Sequence, residues 1–149
     1  MEKILISGCL IGDKTRYDGR SNYTPLYKEL LQYYELVPFC PEVEGGLSTP
    51  RQPSEIKDDK VIMNNGKDVT DNFNLGAEKA YNICLYLGIN KAILKENSPS
   101  CGTHKIHDGS FNGKLIDGQG ITAKYLAKKG IQVYSENDIE ELVEAKKNG

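Results

Sequence analysis

The sequence lacks several features that would place it in a broad functional class at once. Its 149 residues carry 19 Lys and Arg against 21 Asp and Glu, so no basic surplus is available to hold duplex DNA. The longest apolar runs, at residues 3–7 and 92–94, are far shorter than the ~20 residues that cross a bilayer. The first residues also lack the charged, apolar and cleavage regions of a secretory signal. We therefore expect a cytoplasmic protein with neither a membrane nor a duplex nucleic acid as its partner.

Cysteine is scarce, and no two cysteines are closely spaced. Cys9, Cys40, Cys84 and Cys101 are separated by 31, 44 and 17 residues, which excludes a Cys-x-x-Cys motif. Because cytoplasmic thiols stay reduced, a metal site or a catalytic thiol is favoured over disulfides. Any site that these cysteines share must be assembled by the fold.

Four short apolar segments, each bounded by a break, have the pattern of buried strands. Continuous apolar character, rather than strict alternation, is typical of strands that are covered on both faces. The predicted strands are residues 3–7, 34–39, 91–95 and 132–135.

Helical patterns lie between these segments. The clearest is an apolar stripe from Phe73 to Leu87 at steps of four and three, with Asp71 as the predicted cap and Gly88 as the predicted end. Three more helices are predicted: one capped by Thr24, one over residues 118–129, and one that is capped by Asn137 or Ser135 and runs to the end of the chain. This alternation predicts an α/β protein: one domain over residues 1–149 with a Rossmann-like three-layer fold and a mostly parallel sheet.

Two long polar stretches interrupt the alternation. Residues 12–22 and 42–63 are rich in Gly and Pro and are predicted as loops. Long loops on a rigid scaffold are where functional residues concentrate.

Three of the four cysteines follow predicted strands. Cys9 ends the first strand, Cys40 ends the second, and Cys101 follows the third after a short turn. The carboxyl ends of parallel strands lie along one edge of a sheet, so we expect these thiols to converge there. Cys84 lies on the apolar helical stripe and is expected in the core. Three thiolates around one centre leave a coordination position open, and both zinc and iron–sulfur clusters favour such ligands.

The motifs around these cysteines resemble those of the thiouracil desulfidase family of small bacterial and archaeal iron–sulfur domains. The resemblance covers nearly the whole chain, and its motifs occur in order. They are residues 7–12 (SGCLIG), 16–19 (RYDG), 38–47 (PFCPEVEGGL), 49–51 (TPR), 66–70 (GKDVT), 95–102 (KENSPSCG), 108–113 (DGSFNG), 118–120 (GQG) and 134–136 (YSE).

The resemblance implies a [4Fe–4S] cluster on Cys9, Cys40 and Cys101, with one iron free to take the sulfur of a thiolated pyrimidine. The implied reaction is a non-redox, hydrolytic desulfuration that gives the oxo-base and sulfide. Glu42 and Ser98 occupy the positions of the family's acid/base residues.

The residue types themselves suit this chemistry. A carboxylate near the reacting carbon can take a proton from water. Glu42 lies two residues after Cys40, and in an extended segment both side chains would point the same way. The alternative for Glu42 is a loop carboxylate paired with Arg51, whereas Glu44 is expected to face solvent. Ser98 and Ser100 flank Pro99, where a hydroxyl could relay a proton, hold a base oxygen, or simply cap the turn.

Other polar residues are candidates for substrate contacts. Ser100, Arg16, Tyr17 and Arg51 are predicted to hold the thiopyrimidine base or nucleotide, and Arg20 lies on the same loop. The alternative for scattered arginines is a solvated surface. Lys95 and Glu96 are interpreted as a surface pair, and residues 118–120 as a simple helix entry.

Two other functional classes remain open on the sequence. His104 and His107 follow Cys101 at intervals of three residues, which resembles metal-ligand spacing and would suit a zinc hydrolase or a structural zinc protein. A hairpin turn is predicted at residues 108–113, and histidines beside such a turn are often exposed to solvent. A non-catalytic nucleotide-binding or sulfur-carrier module is the second alternative. The sequence also leaves open a homodimer and the choice between base, nucleotide and tRNA as substrate.

Overall fold

A four-stranded parallel sheet forms the centre of the computed structural model, which describes residues 1–148. In chain order the strands are β1 (Glu2–Ser7), β2 (Tyr34–Phe39), β3 (Ser54–Lys57), β4 (Lys60–Met63), β5 (Lys91–Leu94), β6 (Lys105–His107), β7 (Leu115–Asp117) and β8 (Gln132–Ser135). The helices are α1 (Tyr27–Leu30), α2 (Pro41–Glu44), α3 (Thr70–Leu87), α4 (Ile121–Lys128) and α5 (Ile139–Asn148). Single turns of 3-10 helix follow β1 (Gly8–Ile11) and β8 (Glu136–Asp138).

The central sheet has the strand order β2-β1-β5-β8. Its three pairings are all parallel, and Leu5 of β1 lies between Val37 of β2 and Ala92 of β5. All four strands predicted from apolar segments are confirmed, and they are the four strands of this sheet. The segments that lead to Cys9, Cys40 and Cys101 therefore leave three adjacent strands at the same edge.

The sheet is covered on both faces, as its continuous apolar strands predict. On one face, Ile4 and Ile6 pack in a cluster with Leu30 of α1 and Leu142 of α5. On the other face, Leu5 belongs to a cluster with residues of α3 and α4, which also contact each other. Because successive strand residues point to opposite faces, these two clusters make three layers. The predicted α/β fold class is thus confirmed.

The predicted helix ends are only partly right. Gly88 ends α3 with a φ of 70°, as expected for a glycine in the left-handed region. Asp71 is not the cap, because α3 begins at Thr70, whose N–H donates to the Asp68 carboxylate at 2.9 Å.

The other three helices begin later than predicted, whereas α3 begins earlier. The helix predicted over residues 118–129 begins at Ile121, since the Gly118 and Gly120 N–H groups donate to carbonyls outside it. The Thr24 hydroxyl accepts from the N–H of Leu26, but α1 begins only at Tyr27. Ser135 is the cap of the turn that leads into α5, and its hydroxyl accepts from the Asn137 N–H at 3.1 Å.

The two predicted loops have different outcomes. Residues 12–22 contain neither helix nor strand, as predicted. Residues 42–63 are not a loop, because they include most of α2 and an antiparallel hairpin of β3 and β4. Apolar Val61 and Met63 of this hairpin pack with Phe73 in a third cluster, a contact between distant segments that the local polar composition conceals.

The turn predicted at residues 108–113 is confirmed, and it joins β6 to β7. Within residues 1–148, no helix combines the length and the apolar character that a membrane span requires.

Candidate active site

Three cysteines line one cavity at the carboxyl edge of the sheet. Cys9 lies in the 3-10 turn after β1, Cys40 directly follows β2, and Cys101 ends the segment that follows β5. Their cavity has a volume of about 440 Å³, which is within the range of small-molecule sites. Cys84 instead lies in the apolar cluster of α3 and α4, as expected. The thiols that were predicted to converge are thus brought to one cavity.

The thiols are free and carry unequal hydrogen bonds. The Asn22 amide donates to the Cys9 sulfur at 3.3 Å, and the Ser7 and Ser100 hydroxyls each lie 3.5 Å from the Cys101 sulfur. Burial raises the pKa of Cys101 to about 12 and also raises the pKa of Cys9, because it disfavours a negatively charged thiolate. Thiolates at these positions would need a cationic partner in the cavity.

Two glycines allow the close backbone contacts that position two of the cysteines. A Cβ on Gly76 of α3 would lie 2.0 Å from the Pro41 carbonyl oxygen, so only glycine lets α3 pack against the segment that follows Cys40. A Cβ on Gly102 would lie 2.6 Å from the Lys105 carbonyl oxygen. The turn that contains Cys101 therefore also depends on a missing side chain.

Glu42 lines the cavity from the first turn of α2. The expectation of an extended segment after Cys40 is wrong, since Pro41 begins a helical turn there. Glu42 nevertheless reaches the cavity, and its two carboxylate oxygens have different partners. Oε1 accepts from Arg51 Nε at 3.2 Å, and Oε2 accepts from the Ser100 hydroxyl at 2.9 Å. Glu44 is exposed, as predicted.

Ser98 and Ser100 connect Glu42 to the turn of Cys101. The two hydroxyl oxygens are 2.9 Å apart, and Ser98 Oγ also accepts from the N–H groups of Ser100 and Cys101, both at 3.1 Å. Ser98 lines the cavity. Ser100 is only 2% exposed and is not among the residues that line the cavity, so the geometry does not support its predicted contact with substrate.

Glu96 is a buried structural carboxylate, and its interpretation as part of a surface pair is wrong. It is only 9% exposed, and its Oε1 accepts from the N–H groups of Thr103, His104 and Lys105 at 2.8, 2.9 and 3.1 Å. The Thr103 hydroxyl donates to Oε2 at 2.6 Å. Lys95 lies on the cavity wall and pairs with Glu136 at 2.9 Å. Glu96 thereby closes the turn that carries Ser98 and Cys101.

The predicted substrate-binding arginines are engaged within the protein. Arg51 is almost fully buried and donates to Glu42, to the Ser48 carbonyl and Thr49 hydroxyl, and to the Thr15 carbonyl at 2.8 Å. Arg51 therefore fastens the loop of residues 12–22 to Glu42.

The remaining candidates on that loop differ in how close they lie to the cavity. Arg16 donates to Asn22 and pairs with Asp18, both at 3.1 Å. Arg16 and Tyr17 line the cavity, whereas the Arg20 side chain is 81% exposed to solvent.

The two histidines do not combine with the cysteines into a single-ion site. The His104 side chain is 71% exposed, and its Nδ1 lies 3.1 Å from a Glu96 oxygen. His107 lines the cavity. Among residues 1–148, no three His, Cys, Asp or Glu side chains are placed to hold one metal ion. The geometry therefore gives no support to the zinc alternative.

Sequence reasoning missed three residues that shape the site. Asn22 contacts the Cys9 sulfur, Ser7 contacts the Cys101 sulfur, and Glu55 accepts from the Gly109 N–H at 2.9 Å beside the cavity. The position of Ser7 two residues before Cys9 was an available signal. Asn22 ends the polar stretch of residues 12–22, which was a weaker signal, and Glu55 carried none, since its partner Gly109 is 54 residues away.

Comparisons with known proteins place the chain in a family. The sequence model of the 2-thiouracil desulfurase family matches residues 4–138. Protein YbbK of Bacillus subtilis (strain 168), described as uncharacterized, is 39% identical in an alignment 150 residues long that covers 94% of this chain and 99% of that protein. The solved structure of TudS, a [4Fe-4S]-dependent thiouracil desulfidase, is 44% identical, covers 100% of both chains and has a TM-score of 0.92. The chain belongs to the 2-thiouracil desulfurase family.

Proposed function

We propose that this protein is an enzyme that removes sulfur from thiolated pyrimidines by hydrolysis, using a [4Fe–4S] cluster held by Cys9, Cys40 and Cys101. The products would be the oxo-base and sulfide. The observation that carries the proposal is that these three thiols and Glu42 line one cavity in a chain of this family. The [4Fe-4S] dependence of TudS supports the cofactor.

The donor set fits such a cluster. Thiolates are the usual ligands of iron–sulfur clusters, and three of them leave one iron without a protein ligand. The thiols come from three separate segments rather than from one metal-binding motif, and they are not grouped around a single ion. Burial disfavours a negatively charged Cys101 thiolate and so raises the pKa of this thiol. Positively charged iron would compensate that charge and stabilise the thiolate. When bound, the cluster would supply a Lewis acid that binds the substrate sulfur and makes sulfide a better leaving group.

The chain's own acid/base groups would move the protons. Water must attack the carbon that bears sulfur and lose a proton, and a proton must then be delivered to the departing sulfide. Glu42 lies on the cavity wall, and its ion pair with the buried Arg51 holds it there. Ser98 lies on the same wall and is joined to Glu42 through Ser100. We assign Glu42 and Ser98 as the acid/base pair.

The substrate would occupy the part of the cavity that the cluster leaves open. Tyr17 and Arg16 line that cavity, so both remain candidates for contact with the pyrimidine. The N–H groups of Arg51 instead donate to oxygen atoms of the protein. We therefore propose that Arg51 holds Glu42 in place rather than binding substrate. A small thiobase or its nucleotide suits a cavity of about 440 Å³.

Anaerobic purification followed by metal analysis tests the cofactor and its ligands. Wild-type protein should contain about four iron and four acid-labile sulfide per chain. Ser replacement of Cys9, Cys40 or Cys101 should abolish this content, whereas Cys84→Ser is the matched control and should retain it. Stoichiometric zinc without labile sulfide would overturn the cofactor assignment. An intact cluster in Cys40→Ser would overturn the ligand set.

A substrate panel then tests the activity. Cluster-loaded protein is incubated with 2-thiouracil, 4-thiouracil and 4-thiouridine monophosphate, and sulfide is assayed. Release from at least one compound is expected. No release from any of them, by protein that contains the full cluster, would favour a sulfur-carrier or nucleotide-binding module instead.

A further inference from the structure

Among residues 1–148, Ser100 alone is hydrogen-bonded to both proposed acid/base residues, Glu42 and Ser98. Its hydroxyl oxygen lies 2.9 Å from Glu42 Oε2 and 2.9 Å from Ser98 Oγ. It is also 3.5 Å from the Cys101 sulfur. Glu42 and Ser98 line the cavity, whereas Ser100 lies behind them and is 2% exposed. Ser100 is thus shielded from solvent and touches both groups that the chemistry needs.

The direction of these hydrogen bonds follows from the number of protons available. An ionised carboxylate only accepts, so Ser100 must donate its single proton to Glu42. Ser100 then has no proton left for Ser98, so the bond between the two hydroxyls must be donated by Ser98. The Ser98 oxygen accepts from the N–H groups of Ser100 and Cys101, which agrees with this direction. The chain therefore runs from Ser98 through Ser100 to Glu42.

Arg51 fixes the far end of this chain. Its Nε donates a hydrogen bond to Glu42 Oε1, and the same guanidinium donates to three other oxygens of the protein. The carboxylate is therefore oriented with Oε2 toward Ser100. Because Oε1 is paired with a cation that cannot give up its proton, Oε2 is the oxygen that can receive a proton from Ser100.

We propose that Ser100 relays a proton from Ser98 to Glu42 as water attacks the thiolated carbon, an inference that rests on the desulfidase function proposed above. One O–H bond of water breaks as its oxygen bonds to carbon, the C=S π bond breaks with its electron pair moving to sulfur, and the proton of water passes to Ser98 Oγ. The proton of Ser98 passes to Ser100, and the proton of Ser100 passes to Glu42 Oε2. Three O–H bonds break, three form, and no electron donor is required.

The two N–H groups that point at Ser98 Oγ support this step. They stabilise the negative charge that develops on the oxygen as its proton leaves, as backbone donors do at other sites of developing oxyanions. Ser98 can therefore pass a proton onward at neutral pH although an isolated serine is a poor acid.

Kinetics of Ser98→Ala, Ser100→Ala and the double variant test the relay. Turnover of 2-thiouracil is measured per loaded cluster in H₂O and in D₂O. Ser100→Ala should lower kcat by about 100-fold with little change in KM, since one positioned proton transfer contributes roughly that factor. The double variant should be no slower than the slower single variant, because both changes interrupt one path. The solvent isotope effect on kcat should differ between wild type and Ser100→Ala.

Thr122→Val is the matched control. The Thr122 hydroxyl is buried without a hydrogen-bond partner, and its backbone N–H donates to the Ser100 carbonyl, so it adjoins the same turn outside the relay. This variant should keep kcat within about twofold of wild type, in contrast to the loss of about 100-fold expected when Ser100→Ala removes a proton transfer.

The outcomes distinguish a failure of the proton relay from a failure of the proposed desulfidase function. Wild-type turnover with an unchanged kcat in Ser100→Ala, or losses that multiply in the double variant, would overturn the relay and leave the desulfidase function standing. A wild-type protein that is inactive on every thiobase would overturn the function itself. If Ser100→Ala fails to hold iron, the cycle of Ser98→Ala with Glu42→Gln decides: coupled losses support the shared path, and multiplicative losses refute it.

Discussion

Replacing Glu96 by Gln should destabilise the fold by an amount that depends on pH. Burial alone would raise the pKa of this carboxyl, but hydrogen bonds from His104, Thr103 and Lys105 outweigh it and lower the pKa from 4.5 to about 2. At about 1.36 kcal/mol for each unit, the ionised carboxylate stabilises the folded state by about 3 kcal/mol at neutral pH. Because the folded pKa is the lower one, this stabilisation is complete above pH 4.5. It is lost as the pH falls toward 2.

Urea unfolding of the metal-free chain, followed by circular dichroism at several pH values, measures this effect. At pH 7, Glu96→Gln should lose about 3 kcal/mol of unfolding free energy, or roughly 6–12 °C in Tm. The gap from wild type should narrow below pH 4.5, since the wild type then loses its charge as well. Glu141→Gln, which removes an exposed carboxylate on α5, is the control and should change little. A constant gap between pH 7 and pH 3 would refute the assignment of this stability to the ionised Glu96.

Three further substitutions test the packing and the site. Gly76→Ala should lose at least ~2 kcal/mol of unfolding free energy in urea titrations, because its Cβ would meet the Pro41 carbonyl oxygen; unchanged stability would contradict the close contact. Cys84→Ser should lose about 1–3 kcal/mol, measured in the same way, because it buries a hydroxyl in an apolar cluster; unchanged stability would show that the hydroxyl is solvated or bonded. Glu42→Gln should keep its iron and lose about 100-fold in kcat, and wild-type turnover would remove Glu42 from the mechanism.

The central sheet could be predicted from sequence because its signals are local. Each of the four strands is a continuous apolar segment that ends in a break, and strands of this kind need helices on both faces. The expectation that Cys9, Cys40 and Cys101 converge follows from one rule about parallel sheets, and it required no knowledge of strand order.

The hairpin of β3 and β4 could not be predicted in the same way. Its strands have four residues each, and the apolar residues Val61 and Met63 are covered by Phe73 from a separate helix. Short strands of mixed polarity take their stability from such distant contacts, which the local pattern does not contain. The turn of α2 was missed for a related reason, since it lasts only from Pro41 to Glu44.

The carboxylates of the site show the same limit. Glu96 is followed by polar residues and looks like a surface residue, yet the chain returns eight residues later and its N–H groups meet the carboxylate. Glu42 is oriented by Arg51 across nine residues and by Ser100 across 58. Motifs could indicate which residues matter, but only folded geometry reveals which of them are connected.

The central claim, hydrolytic removal of sulfur without redox chemistry, is tested most directly by the origin of the new oxygen. Cluster-loaded protein is incubated anaerobically with 2-thiouracil in ¹⁸O-water, with no electron donor, and uracil is analysed by mass spectrometry while sulfide is assayed. The account predicts one ¹⁸O in each uracil and one sulfide for each uracil. Unlabelled uracil, or product that appears only when an electron donor is added, would contradict it.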